Sequence, residues 1–127
     1  MTEIAIAATI FNEARGESSA GRQAVKAVIQ NREAYTCPKE GCGRNHNLAE
    51  WRNSTIFHGY ATARPNVPAA EEAIWQECVN LASRRVPDNT GGATHFQRGG
   101  FGAGFQSTTT IGLHKFAREI TETTRHS

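Results

Sequence analysis

The sequence predicts a small, mainly helical α+β domain with a short β-sheet in its C-terminal half. Apolar residues recur with the period of an α-helix over residues 2–14, 19–34 and 68–84. After a turn cluster at residues 87–92 this period is lost, and short β-branched segments follow. A chain of 127 residues is too short for two domains with separate cores, so we expect residues 1–127 to form a single domain.

The first two helices have the clearest apolar faces. In residues 2–14 the stripe is formed by Ile4, Ala7, Ala8 and Phe11, and Ile6 and Ile10 widen it. A turn follows, in which Ser18 or Ser19 is the expected N-cap of the next helix. In residues 19–34 the expected buried set is Ala24, Val25, Val28 and Ile29, and the expected outward set is Lys26, Gln30 and Glu33.

The rest of the chain alternates loops with short elements. Between the second and third helices we expect a loop at 35–47, a short helix at 46–51, an extended segment at 55–57 and irregular chain at 61–68. Beyond the turn cluster we expect a strand at 93–97, a Gly-rich loop at 99–104, a strand at 108–116 that can turn into a terminal helix, and a frayed end at 119–127.

Composition excludes several classes of partner. The net charge of +2 and the pI of about 8.6 favour adsorption to an anionic polymer, but they fall far short of a nucleic-acid-binding surface. No apolar run approaches the length of about 18 residues that a membrane span needs. Residues 1–3 lack the cationic start of a signal peptide. We therefore expect a protein made in the cytoplasm that binds no nucleic acid and has no membrane span, and we expect it to be a monomer.

The segment NEARGES, residues 12–18, carries the main catalytic candidate. Glu13 stands where an apolar helix meets a glycine and a polar turn, and partial desolvation there raises a carboxyl pKa toward the range of a general acid. The alternative is a solvated carboxylate paired with Arg15 or Arg22. Glu17 lies four residues further on and either shares a face with Glu13 or favours the positive end of the second helix. We favour the second role.

Cysteine and histidine residues raise the question of a metal. Cys37, Cys42 and His46 could supply three zinc ligands, with His58 or Cys78 as the fourth. Structural zinc sites use tighter paired knuckles, however, and three cysteines do not form a disulfide framework. We expect no metal and no cofactor, and we expect Cys78 to be a buried thiol in the third helix.

Three residues of the C-terminal half are candidates for ligand binding. Phe96 and Gln97, on the predicted strand after the glycine turn, can form the wall of a sugar groove, because aromatic rings stack on sugars and amides bond to them. The alternative makes Phe96 a core residue and Gln97 merely exposed. His114 is either a structural hydrogen-bonding residue or a ligand-binding one.

Four blocks of the chain resemble the SleB/CwlJ family of spore-cortex-lytic and related cell wall hydrolases. TIFNEARGE (9–17) and GRQAVKAVIQNR (21–32) are similar to the opening of that family without gaps. PDNTGGA (87–93) with Phe96 resembles its turn and strand, and IGLHKF (111–116) resembles its closing block. The middle departs from the family pattern, since a Cys-containing loop precedes the segment NSTIF.

The resemblance implies a lysozyme-like fold that acts on peptidoglycan. It implies cleavage between N-acetylmuramic acid and N-acetylglucosamine, with Glu13 as the acid and substrate contacts from Phe96, Gln97, His114 and Glu17. No second carboxylate is evident, so a lytic transglycosylase fits better than a two-carboxylate hydrolase. A bare catalytic domain without a signal peptide suits a phage-type endolysin acting on the host cell wall.

Two alternatives from other classes remain open. One is a non-catalytic peptidoglycan-binding module, in which Glu13 has no chemical role. The other is a zinc amidase built on the cysteine and histidine set. A glycan-cleavage assay separates the first from a glycosidase, and sensitivity to chelators separates the second.

Overall fold

The computed structural model describes residues 3–34 and 64–119. Within them lie three α-helices and one three-stranded antiparallel sheet, which confirms the α+β class and the sheet in the C-terminal half. The elements are α1 (Glu3–Ala14), α2 (Ser19–Ala34), α3 (Glu72–Ala82), β1 (His95–Gln97), β2 (Phe105–Ile111) and β3 (His114–Glu119).

Some of the expected segments lie outside the described residues. These are the loop at 35–47, the short helix at 46–51, the extended segment at 55–57 and the end of the chain from 120. The third helix is shorter than expected: a 3₁₀ turn, Ala69–Glu71, precedes α3, and α3 ends at Ala82. There the Ser83 hydroxyl donates to the carbonyl of Asn80 at 2.8 Å, in competition with the backbone.

α1 is buried on nearly every side. Six consecutive residues, from Ile6 to Phe11, are buried, whereas a surface helix keeps one side exposed. The polar Thr9 is accommodated because its hydroxyl donates to the carbonyl of Ala5 at 2.8 Å. α1 reaches the surface in its last turn, where Asn12 is exposed and Glu13 is half-buried.

α2 begins at a side-chain cap and buries the expected apolar face. The Ser18 hydroxyl accepts a hydrogen bond from the Gly21 N–H at 3.2 Å, which confirms Ser18 as the N-cap. The apolar residues expected inside are all buried: Ala24, Val25, Val28 and Ile29.

Three residues of α2 were expected to face solvent, and the prediction is wrong for two of them. Lys26 and Gln30 are buried, and only Glu33 is exposed. The end of α3 and the chain that follows it pass over this side of α2, where Lys26 Nζ donates to the carbonyl of Ala82 at 3.3 Å. Gln30 donates to the Val86 carbonyl at 3.0 Å and accepts from the Val86 N–H at 2.8 Å. Polar side chains are buried here because they satisfy a buried backbone.

The predicted turn at 87–92 is confirmed, and Asp88 organises it. One carboxylate oxygen accepts from the Thr90 N–H at 2.8 Å and from the Thr90 hydroxyl at 2.6 Å. The other accepts from the Gly92 N–H at 2.9 Å and lies 3.3 Å from the Asn31 amide nitrogen. Gly91 and Gly92 both have positive φ, which glycine adopts without the steric cost of a Cβ.

The sheet has the order β1-β3-β2, with β3 in the centre. The expected strand at 108–116 is confirmed in part, because two strands separated by a turn replace the single strand, and the helical turn expected at its end is wrong. Residues 105–119 form a hairpin, in which Ile111 pairs with His114. Gly112 and Leu113 are the two turn residues. Gly112 has φ +58° and no positive φ occurs at Leu113, which is the pattern of a type II′ hairpin turn.

Two apolar clusters hold the described elements together. The first joins α1, α2 and α3, and in it the rings of Phe11 and Trp75 meet edge to face with centroids 5.8 Å apart. Cys78 is fully buried in this cluster, as expected. The second cluster joins α2 to the sheet and consists of Ala24, Val28, Ala93 and Phe116. Phe96 packs against both clusters.

None of the helices in the described part of the chain has both the length and the apolar character that crossing a bilayer requires.

Candidate functional site

Glu13 lies at the point where α1 leaves the core. The residue before it is exposed and the residue after it, Ala14, is buried, so the Glu13 side chain stands at the edge of the packed interior. A carboxyl in that position can reach solvent or a ligand while part of its stem stays covered.

Arg22 of α2 holds the end of α1. Its guanidinium donates to three carbonyls at and just beyond the end of α1, those of Ala14 at 3.5 Å, Arg15 at 3.3 Å and Glu17. Its Nε also lies 2.6 Å from the carboxylate of Glu77 on α3. The turn after Glu13 is thereby fixed to two other helices.

The Glu77 carboxylate that anchors Arg22 is ionised at neutral pH. Burial raises the pKa of Glu77, but hydrogen bonds from Arg22 and Ser19 outweigh burial and leave the pKa below its ordinary value. Arg15, the other cation considered as a partner of Glu13, lies 3.8 Å from the carboxylate of Glu71. Both arginines therefore have acidic partners on or next to α3.

Glu17 connects the turn after α1 to the sheet. Its Oε1 accepts a hydrogen bond from the N–H of Leu113, in the β2–β3 turn, at 2.9 Å. The two residues are 96 positions apart in the chain. The tip of the hairpin therefore stands within one side chain's length of the turn that follows Glu13. Leu113 itself is 60% exposed, the one large apolar side chain so exposed in the described residues.

His114 begins β3 on the side of the sheet that faces the helices. It is 4% exposed, and its ring meets Phe96 edge to face with centroids 5.1 Å apart. Its Nδ1 is buried and has no hydrogen-bond partner among the described residues. An orphaned buried nitrogen is uncommon in a folded protein. His114 therefore packs as an aromatic residue in this structure and keeps one polar atom unused.

Phe96 and Gln97 lie on opposite sides of the sheet. Phe96 pairs with the fully buried Phe116, and Gln97 pairs with the exposed Lys115. Successive residues of a strand alternate between faces, so the two side chains do not line one surface. Phe96 is half-buried on the helix-facing side, and the exposed Gln97 donates to the Gly100 carbonyl at 2.7 Å.

The structural importance of Arg22 and Leu113 could not be predicted from the sequence. Arg22 is one of several polar residues in an amphipathic helix. The spacing of the apolar residues does not distinguish it from an arginine that faces solvent. Leu113 takes part through its backbone N–H, which every residue but proline carries. No sequence signal identifies such a contact in advance.

The described residues contain no group of three or more His, Cys, Asp or Glu side chains that could hold a metal ion. Of the proposed zinc ligands, Cys37, Cys42, His46 and His58 lie outside the described residues. Cys78 is inside the core, where burial raises its thiol pKa to about 12. Because zinc binds the thiolate, Cys78 is poorly suited to the role.

No protein-family profile matches this chain, and neither a curated protein sequence nor a solved structure matches it.

Proposed function

We propose that this protein cleaves the glycan strands of peptidoglycan between N-acetylmuramic acid and N-acetylglucosamine, with Glu13 as the catalytic acid. The observation that carries the proposal is the placement of Glu13. It is a half-buried carboxyl at the point where a buried helix reaches the surface, beside a turn bonded to the tip of a β-hairpin. The end of a helix and the tip of a hairpin stand side by side there, and the fold we propose is of the lysozyme type.

A second observation supports the proposal. Two of the sequence blocks that resemble cell wall hydrolases, residues 9–17 and residues 111–116, are far apart in the chain. In the structure they meet through the hydrogen bond from Leu113 to Glu17. Motif residues that converge in space are better candidates for a common site than motif residues that remain scattered.

The proposed reaction needs one carboxyl group. Protonated Glu13 donates its proton to the glycosidic oxygen as the bond from that oxygen to the muramic anomeric carbon breaks. The 6-hydroxyl of the same muramic residue then attacks the anomeric carbon, and the Glu13 carboxylate takes the hydroxyl proton. The product has a 1,6-anhydro end, and Glu13 is protonated again at the end of the reaction. The proposed reaction consumes no cofactor.

Two other acidic residues of the described chain accept hydrogen bonds that fix their place in the fold. Asp88 is the one aspartate in the chain, and both of its oxygens accept hydrogen bonds within its own turn. Glu17 accepts from Leu113. We assign neither as a base that activates water, and we therefore propose the lytic transglycosylase in preference to the two-carboxylate hydrolase. We propose a monomeric, phage-type enzyme that acts on the cell wall.

The test compares Glu13→Gln with Glu33→Gln on purified peptidoglycan. Gln has nearly the same shape but cannot donate a carboxyl proton, so Glu13→Gln should lose about 10²–10⁴ in rate while its melting temperature stays near the parental value. Glu33 is exposed on the last turn of α2, and its substitution controls for the loss of one negative charge. Turnover close to the parental rate in a folded Glu13→Gln protein would refute the assignment.

Mass spectrometry of the released fragments defines the reaction. Anhydro-muramic ends indicate transglycosylation, and free reducing ends indicate hydrolysis. Cut peptide stems on intact glycan would instead identify an amidase. Binding to peptidoglycan without any cleavage would identify the binding module.

A further inference from the structure

Two glycines make room for Glu17. Gly21 lies one turn along α2, and a Cβ on it would stand 2.8 Å from Glu17 Cβ, closer than real side chains approach. Gly112 lies in the hairpin turn, and a Cβ on it would overlap Glu17 Oε1. The first glycine clears the stem of the glutamate and the second clears its carboxylate. Residues from two distant parts of the chain therefore form one socket for this side chain.

The bond inside this socket joins the carboxylate to the backbone. The Leu113 N–H belongs to the second turn residue, which lies between the paired residues Ile111 and His114, and it donates to Glu17 Oε1 at 2.9 Å. At the other end, the Glu17 carbonyl accepts from Arg22. Glu17 is thus held through its backbone to α2 and through its carboxylate to the sheet.

We propose that Glu17 is a positioning residue, whose carboxylate fixes the β2–β3 turn against the turn that follows Glu13 and so sets the gap between the catalytic carboxyl and the hairpin. The catalytic part of this inference rests on the proposed function. The attachment of the hairpin does not, because it is a property of the folded chain that can be measured without a substrate.

The length of the Glu17 side chain, and not its negative charge, holds the hairpin in this proposal. A carboxylate oxygen and an amide oxygen accept a backbone N–H equally well in geometry, so Gln at position 17 can make the same bond. Asp carries the charge but is one methylene shorter, so its oxygens fall short of the Leu113 N–H. A second catalytic carboxylate would have the opposite preference, since it needs the charge.

The experiment therefore compares Glu17→Gln with Glu17→Asp, and uses Glu33→Gln and Glu33→Asp as matched controls. Amide hydrogen exchange at Leu113 reports the attachment. Exchange should be as slow in Glu17→Gln as in the parent, and at least about tenfold faster in Glu17→Asp. Glycan cleavage should follow the same order: Gln near the parental kcat/KM, and Asp lowered about 10–100-fold at a temperature where both variants are folded, because a displacement of about 1 Å at a site has that effect.

Two results would overturn the inference. Loss of activity in Glu17→Gln with retention in Glu17→Asp would show that the charge acts, as in a two-carboxylate hydrolase. Leu113 exchange that is equally slow in all variants would show that the contact does not hold the hairpin. If the parent cleaves no glycan, the proposed function fails, and the exchange data still decide whether Glu17 holds the hairpin.

Discussion

At the scale of single residues, Gln30 shows how one side chain supports an irregular segment. Its amide both donates to and accepts from Val86, in a part of the chain with no strand or helix partner of its own. The side chain of Gln30 therefore replaces the backbone partner that a sheet would have provided. The stabilisation is local and depends on both ends of the amide.

Gln30→Ala should destabilise the protein by about 2–4 kcal/mol, because it leaves a buried N–H and a buried carbonyl of Val86 without partners. Gln23→Ala is the matched control, since Gln23 makes a single exposed bond, to the carbonyl of Pro87 at 2.8 Å. It should cost less than about 1 kcal/mol. Urea unfolding of the three proteins measures the difference, and equal costs at both positions would contradict this account.

The apolar residues of α2 could be predicted from sequence, and Lys26 and Gln30 could not. Apolar burial follows directly from the helical period, because one stripe must face the core. A polar side chain on the same helix is buried only if another segment passes over it with unpaired backbone groups. That depends on the path of residues 82–94, which the period of α2 does not contain.

At the scale of elements, the turn built around Asp88 connects α2 to the first strand. Burial raises the pKa of Asp88, but hydrogen bonds from the Thr90 hydroxyl and N–H, from Asn31 and from Gly92 outweigh burial and leave the pKa below its ordinary value of 3.8. The carboxylate is thus the form that the fold stabilises. Protonation should loosen the turn.

Asp88 should make stability depend on acid pH. A carboxyl with a lowered folded pKa stabilises the fold fully above its unfolded pKa, and that stabilisation is lost as the pH falls through the folded pKa. Asp88→Asn should therefore be less stable than the parent at pH 7. The difference in the free energy of unfolding between the two proteins should shrink as the pH falls below about 4. Urea unfolding at several pH values measures it. If this difference in the free energy of unfolding stays constant down to pH 2, the ionisation of Asp88 is not its cause.

The turn that makes β2 and β3 a hairpin was not predicted from the sequence. A run of threonines and β-branched residues from 108 to 111 predicts a strand, and that part is correct. The chain reverses at Gly112-Leu113, which is not among the strongest hairpin dipeptides. The two-residue turn and the antiparallel pairing of β2 with β3 set the register, and a single glycine after a β-branched run does not signal that turn strongly from sequence.

At the scale of the whole molecule, the fold class and the placement of Glu13 at a helix end could be predicted, and the assembly of the site could not. Sequence blocks show which residues belong together, but not which atoms meet. The contact from Glu17 to Leu113 depends on the packing of α1, α2 and the sheet at once. Such a contact becomes visible only when all three elements are in place.

The whole protein should keep its fold and its activity after exhaustive chelation. The proposed reaction uses one carboxyl and no metal, and Cys78 is buried with a raised thiol pKa. Metal content by mass spectrometry, with circular dichroism and glycan cleavage before and after chelation, tests this. Stoichiometric zinc whose removal unfolds the chain would show that Cys37, Cys42 and His46 form a structural site.

The hydrogen bonds from α2 to the segment between α3 and β1 have a consequence for how the sequence can vary. Lys26 donates to the carbonyl of Ala82 at the end of α3, and Gln30 and Asn31 donate to the carbonyls of Val86 and Ala93 in that segment. Every amino acid carries such an oxygen, so exchanging the side chain of an accepting residue does not remove these particular bonds. The donors on the helix have no substitutes of equal reach. Substitution of a donor on α2 should therefore remove a bond, whereas substitution of the residue that supplies the carbonyl should leave that bond in place.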